Sequence, residues 1–404
     1  MTVPEPRPTL EAVAAHAGVS RATVSRVVNG SAGVRDAVRE KVQRAVADLG
    51  YVPNSAARSL VTRRTGAVAV VIAEPERRVF SDPFFAQQLR GISRELSASD
   101  IQLVLLLVEH PRDYPRIGRY LSGGHVDGAL MFSLHSDDPL PSMAASSELP
   151  TVFGGRPGWA DADHDPQLLY VDNDNRGGAR QAVEYLLAQG RKRIAVITGP
   201  LDQTSATDRL DGYCDALGVA QPDSVLLARG DFTAEGGERA MAELLGSAPD
   251  LDAVFAGSDL MATGALRALR AAGRRVPEDV AVVGYDDMEP AAWAEPPLTT
   301  VHQDVEEMGR MMAALLLRRL GVAPSGAAEE AAGAISAQPS SGAASGAAET
   351  AEGPEAEQGP ETGQGRERGQ GRETGQGRET GQGREEERLA PVITPARLVI
   401  RASA

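Results

Sequence analysis

Cysteine is almost absent from this sequence, with Cys214 the only one in 404 residues. A lone cysteine cannot close an internal disulfide, which excludes a disulfide-stapled scaffold and suits a reducing cytosol. Long apolar runs are missing as well. The run Ala67-Val-Ala-Val-Val-Ile-Ala73 falls far short of the ~20 residues a membrane span needs. The opening Met1-Thr-Val-Pro-Glu-Pro-Arg7 holds no apolar signal core, so secretion is not expected. Lysine is scarce too, limited to Lys41 and Lys192. What is present, 42% hydrophobic and 24% charged residues, is enough for a real core. The expectation is a soluble cytoplasmic protein of two or three domains.

The net charge of −15 is unevenly spread. Residues 1–64 carry +5, residues 321–388 carry −7, and the remainder is acidic. A basic head on an acidic body fits a head that meets a polyanion, although charged faces are usually only solvated.

Residues 9–50 read as three short helices. Thr9 caps the first, whose apolar face is Leu10, Val13, Ala14 and Ala17. Gly18 breaks it, and Ser20 is the N-cap of a second helix with Val24, Val27 and Val28 inward. A third spans Asp36 to Leu49, and residues 51–64 form a basic connector. From 65 to about 320, strand-like runs (67–73, 101–107, 127–132, 150–153, 193–198, 253–256, 279–284) alternate with helical stretches (83–98, 177–189, 207–217, 233–245, 259–272). That alternation predicts parallel sheets covered by helices. A further helix runs from Asp304 to Leu320.

Residues 321–390 then lose large apolar and aromatic side chains and repeat the hexapeptide Glu361-Thr-Gly-Gln-Gly-Arg366 through residue 384 with one substitution, Arg368. Such a segment cannot bury enough surface to offset its ordering entropy, so a disordered linker is expected. Order is expected to return in 391–404, where Pro395 to Arg401 reads as one last strand.

Function is carried most strongly by Gly18-Val-Ser-Arg-Ala-Thr-Val-Ser-Arg-Val-Val-Asn-Gly30. A helix–turn–helix needs a first helix, a tight glycine turn and a second helix with a polar outer face. Arg21, Ala22, Ser25 and Arg26 project from that face, and arginine suits guanine O6 and N7. The hydroxyls of Thr23 and Ser25, with backbone N–H groups at the helix start, suit phosphates. The alternative is an ordinary small helical bundle with a basic face.

The segment Thr9-Leu-Glu-Ala-Val-Ala-Ala-His-Ala-Gly-Val-Ser20, with Thr23-Val-Ser-Arg-Val-Val-Asn-Gly30, resembles the DNA-binding head of the LacI/GalR family of bacterial transcription regulators. Leu49-Gly-Tyr-Val-Pro-Asn54 and Ala57-Arg-Ser-Leu60 continue the likeness, which runs to Arg397-Leu-Val-Ile-Arg401 and omits only 321–390. Arg35 departs from the family's small hydroxyl cap, leaving Asp36 as the alternative, and Val38 replaces the usual threonine. The resemblance implies a small all-α helix–turn–helix DNA-binding domain (1–50), a hinge (51–64) and an α/β two-lobed periplasmic-binding-protein-like core with parallel sheets (65–320). It implies that Thr9, Ser20, Arg21, Ala22, Thr23, Ser25, Arg26, Asn29, Tyr51, Asn54, Ala57 and Leu60 meet DNA. Leu60 would be the wedge that kinks a central CG step. The partners so implied are double-stranded operator DNA, a second copy of the chain and a small-molecule effector, a sugar or related metabolite; no membrane partner is expected.

 

By motif position, the resemblance puts the effector against Phe84, Phe85, Arg156, Asp172, Arg209, Ser258, Asp286 and Trp293. Carboxylates, amides and arginine beside an aromatic face suit a hydroxyl-rich ligand. Plainer alternatives are a core role for Phe84, Phe85 and Trp293 and a solvated charge for Arg209. Two departures from the family, Ser258 for an asparagine and Gly154-Gly-Arg156 for an acid, blur the ligand, and Arg156 would suit a carboxylate or phosphate. His16 on the first helix reads as exposed or phosphate-bound. Asp286-Asp287 could serve acid–base catalysis, yet neighbours at a strand end point apart. Gly177-Gly178 lacks the spacing of a dinucleotide site. No histidine has metal-ligand spacing, so no metal, cofactor or enzymatic activity is expected.

Overall fold

A computed structural model of the chain describes residues 8–28, 33–51, 64–158, 168–322 and 389–404. Asn29, Asn54, Ala57, Leu60 and nearly all of the 321–390 segment lie outside the described residues.

The head consists of α1 (Leu10–Ala17), α2 (Arg21–Val28) and α3 (Asp36–Leu49). Thr9 accepts the N–H of Ala12 at 3.3 Å, the expected cap. Gly18 ends α1 at φ 65°, a left-handed conformation that glycine adopts without a Cβ penalty. Ser20 caps α2, its Oγ accepting the N–H of Thr23 at 3.2 Å. Val13, Val24 and Val42, one from each helix, are wholly buried in a single apolar cluster. The start of α3 differs from expectation. Arg35 stands at its N-cap without a side-chain bond, and Asp36 is already the first helical residue rather than a substitute cap.

The body contains two six-stranded sheets. In the first, β1 (Ala67–Ile72), β2 (Gln102–Leu107), β3 (Gly128–Phe132), β4 (Thr151–Gly154) and β5 (Tyr170–Asn173) are parallel. The second holds β6 (Ile194–Thr198), β7 (Leu227–Arg229), β8 (Ala253–Ala256), β9 (Ala281–Asp286) and β10 (Thr299–His302), also parallel. The C-terminal segment supplies two strands rather than the one expected. β11 (Val392–Thr394) joins β5 in the first sheet, and β12 (Arg397–Val399) lies antiparallel to β10 in the second.

The chain therefore passes between lobes three times: after β5, after β10 and between β11 and β12. After β10, the helix Val305–Arg319 returns to pack on Pro83–Ala98 of the first lobe. Glycines set that approach. A Cβ on Gly91 would lie 1.9 Å from the Glu306 carbonyl oxygen, and one on Gly309 2.2 Å from that of Gln88. Because the strands are parallel, their carboxyl ends and following loops gather on one side of each sheet, where ligands bind in open α/β folds.

Candidate functional site

On the head, α2 turns Val24 and Val27 into the core and leaves Arg21, Ala22 and Arg26 exposed, with Thr23 and Ser25 half-buried. This is the polar face expected to meet base edges. Thr23 is engaged by Ser20, hydroxyl to hydroxyl at 2.9 Å. Tyr51, expected at the DNA surface, is only 8% exposed and closes the apolar core of the head. His16, read as exposed or phosphate-bound, lies with its Nε2 3.3 Å from Asp48 on α3.

In the body, loops leaving β1, β3 and β4 face those leaving β6, β8 and β9 across one cleft. Phe84, Phe85, Arg156, Asp172, Arg209, Ser258 and Asp286 all line it. Asp286 is one of its buried acids. Its backbone has φ 108°, uncommon for a residue with a Cβ and the kind of strain that gathers at binding sites. Its Oδ1 accepts from Gln303 Nε2 at 2.6 Å and lies 3.4 Å from Arg209 Nη1. Burial pushes this carboxyl up to about 7 despite the nearby guanidinium. Asp287 points away, to His302 at 3.0 Å and Arg401 at 2.6 Å, so the two acids form no catalytic pair.

Arg209 is no solvated charge. It is 6% exposed, donates through Nε to Asn175 at 2.9 Å, and stands 3.7 Å over the Tyr285 ring. Asn175 in turn donates to Asp172 at 3.0 Å. Asp172, Asn175, Arg209, Asp286 and Gln303 thus make one buried polar chain along the floor of the cleft. Such a chain holds each member to one orientation. Phe84 meets Phe85 edge-on at 5.4 Å and supplies an aromatic wall. Gln88, which no motif pointed to, also lines the cleft and has a buried Oε1 with no hydrogen-bond partner among the described residues. A buried acceptor left so costs roughly 1–3 kcal/mol until a donor arrives.

Ser258 proves to be a cap. Its Oγ accepts the N–H of Met261 at 3.2 Å and starts the helix Asp259–Ala271. Arg156 is also engaged. It pairs with Asp208 of the second lobe at 2.7 Å instead of standing open for an anionic ligand.

A second set of contacts closes one side of the cleft. His135 of the first lobe lies between Glu74, 3.7 Å from its Nε2, and Asp202 of the second lobe, 2.7 Å from its Nδ1. Gln203 donates to Glu74 at 3.1 Å, and Arg78 stands over both Phe85 and Phe232 at 5.7 and 5.3 Å. The Glu74 carboxylate, and then the hydrogen bond to Asp202, push His135 up to about 9. A histidine raised in the fold stabilises it fully below its ordinary range and loses that contribution as pH rises through about 9. The stability difference between the wild type and His135→Gln is therefore expected to be larger at pH 7 than at pH 10. Thermal unfolding at the two pH values reads it, and an equal difference at both would remove charge from the bridge.

Residues 9–54 match the model for bacterial regulatory proteins of the lacI family, and residues 183–336 that for a periplasmic binding protein-like domain. Over 316 residues the chain is 54% identical to the HTH-type transcriptional regulator CelR of Thermobifida fusca, spanning 78% of this chain and 92% of that protein. The chain belongs to the lacI family. The ribose operon repressor of Escherichia coli K12 is 39% identical over 318 residues, covering 77% and 93% of the two chains. Among solved structures, a CelR–cellobiose complex is 42% identical, covers 98% of this chain and 100% of its own, and superposes with a TM-score of 0.65. The lac repressor dimer bound to operator and the anti-inducer ONPF is 25% identical, covers 98% and 99%, and gives 0.71.

This lacI-family regulator departs from expectation at Trp293. The residue ends the five-residue helix Glu289–Trp293, whose inward face is Ala291, and is 77% exposed outside the cleft. Among the described residues, no helix is long and apolar enough to cross a membrane, and no group of acids, histidines and cysteine is arranged to hold a metal ion.

Proposed function

We propose that this lacI-family chain is a repressor that binds a pseudo-palindromic operator as a homodimer and takes a glucose disaccharide such as cellobiose in the inter-lobe cleft. The observation that carries the effector assignment is the buried chain from Asp172 to Gln303, flanked by Phe84 and the unpartnered amide oxygen of Gln88. Oriented carboxylate, amide and guanidinium groups beside an aromatic face match the hydroxyls and apolar ring faces of a sugar. The likeness to CelR, whose solved relative is a complex with cellobiose, favours a disaccharide over a single ring.

On this reading residues 1–50 read DNA, 51–64 are the hinge, and effector binding changes how the lobes hold the two hinges apart. The protein works in the cytoplasm, at the nucleoid. Two-fold symmetry of the protein is mirrored in its operator. By linkage, operator DNA changes effector affinity by the same factor as effector changes operator affinity. A protein that only binds sugar is the rival reading, and the exposed α2 face of the head weighs against it.

Calorimetric titration with cellobiose and, separately, with ribose tests the effector. Saturable binding of cellobiose that also shifts operator affinity is the expected result. Saturable binding of ribose alone would overturn the disaccharide assignment.

A further inference from the structure

Arg21 opens α2 on the face turned to DNA, and its side chain is already directed. Its Nε lies 2.9 Å from Oε1 of Glu11 on the first turn of α1, with the two side chains 70% and 62% exposed. Glu11 is itself held: its own backbone N–H first, then the Thr9 hydroxyl, keep its carboxyl below the usual range, so it stays charged at neutral pH. An ion pair this open to water adds little to stability, so its consequence lies in geometry.

With Nε engaged by Glu11, the two Nη groups remain as a planar fork. That fork matches O6 and N7 of guanine. A phosphate contact would not need the constraint, and a carboxylate beside a phosphate would work against it. Ala22, the exposed neighbour of Arg21, brings only a methyl group, so polar discrimination at this point of the groove falls to Arg21.

We infer that Glu11 is a positioning residue for base reading: it fixes Arg21 so that each operator half-site is read for guanine where Arg21 faces it. This rests on the operator-binding reading above. Neither residue is buried, so Glu11→Ala and Arg21→Ala are expected to fold, with melting temperatures shifted only by the small amounts of surface substitutions.

The test compares the full-length wild type, Glu11→Ala, Arg21→Ala and the double variant on a selected operator and on operators with single base-pair changes, at fixed salt. Arg21→Ala should abolish the preference for guanine at one symmetric pair of positions, a factor of about ten or more per half-site. Glu11→Ala should weaken that same preference several-fold, leave the other positions alone, and slightly raise affinity for random DNA by removing a negative charge. In the Arg21→Ala background, loss of Glu11 should not alter base preference. An even effect across all positions, an unchanged guanine preference in Glu11→Ala, or a Glu11 effect that persists without Arg21 would each overturn the inference. Failure of the wild type to select any site would overturn the operator reading along with it.

Discussion

Arg26→Ala is expected to lower operator affinity by about 2–6 kcal/mol, counting roughly 1–3 kcal/mol for each of the two heads of a dimer. At 1.4 kcal/mol per factor of ten, this is roughly 30-fold to 20,000-fold. The arginine is exposed on α2 and joins no ion pair among the described residues, so its guanidinium is available to a base edge. Its neighbours Val24 and Val27 hold the helix to the head core, and they are untouched. The melting temperature should therefore stay within the small range of surface substitutions. Fluorescence anisotropy on operator and on random DNA separates the outcomes. A large loss on operator with a small loss on random DNA places Arg26 in the groove. Equal affinity for operator before and after the substitution would remove it from there.

Asp286→Asn is expected to weaken effector binding by about 10- to 150-fold, the range of roughly 1.5–3 kcal/mol for a hydrogen bond to a charged acceptor. Operator affinity without effector should be unchanged. The pH dependence gives the same claim a second readout. Burial raises this carboxyl to about 7, so it is substantially protonated below that value and ionised above it. A ligand hydroxyl donates best to the ionised form, so wild-type effector affinity should rise as pH increases through 7 and level off above it. The Asn variant has no proton to lose and should show a flat profile over the same interval. Wild-type affinity without slope, or an Asn variant that keeps the slope, would show that Asp286 does not meet the ligand.

Much of the fold was legible because its signals are local. α3 runs from Asp36 to Leu49 as its apolar period requires, and β1, β3 and β8 coincide with short apolar runs bounded by turns. Four strands were not read: β5, β7, β10 and β11. Each is only three or four residues long, and Tyr170–Asn173 and Thr299–His302 mix polar side chains into the sheet next to a lobe crossing. The helices Glu76–Ser81 and Leu140–Ser146 also went unread, being too short for a periodic signal to stand out, and Tyr114–Ser122 carries Pro115 and Gly118, which read as breakers.

The site divides in the same way. Arg209 and Asp286 were named from the motifs around them and Phe84 from its place at a helix start, and all three line the cleft. His135, Glu74, Asp202 and Gln203 come together only where two lobes meet, and sequence spacing carries no trace of that approach. Trp293 was misplaced for the opposite reason. An aromatic residue near a sugar cleft invites the stacking role, while the direction of a five-residue helix is set by packing that no local pattern records.

The most direct measurement of the central claim is selection of bound fragments from randomised DNA by the purified full-length protein, at near-physiological salt, with and without cellobiose. The expected result is a two-fold-symmetric site with a CG centre, whose recovery changes when cellobiose is added. Weak, sequence-independent recovery that is the same with and without the sugar would contradict it.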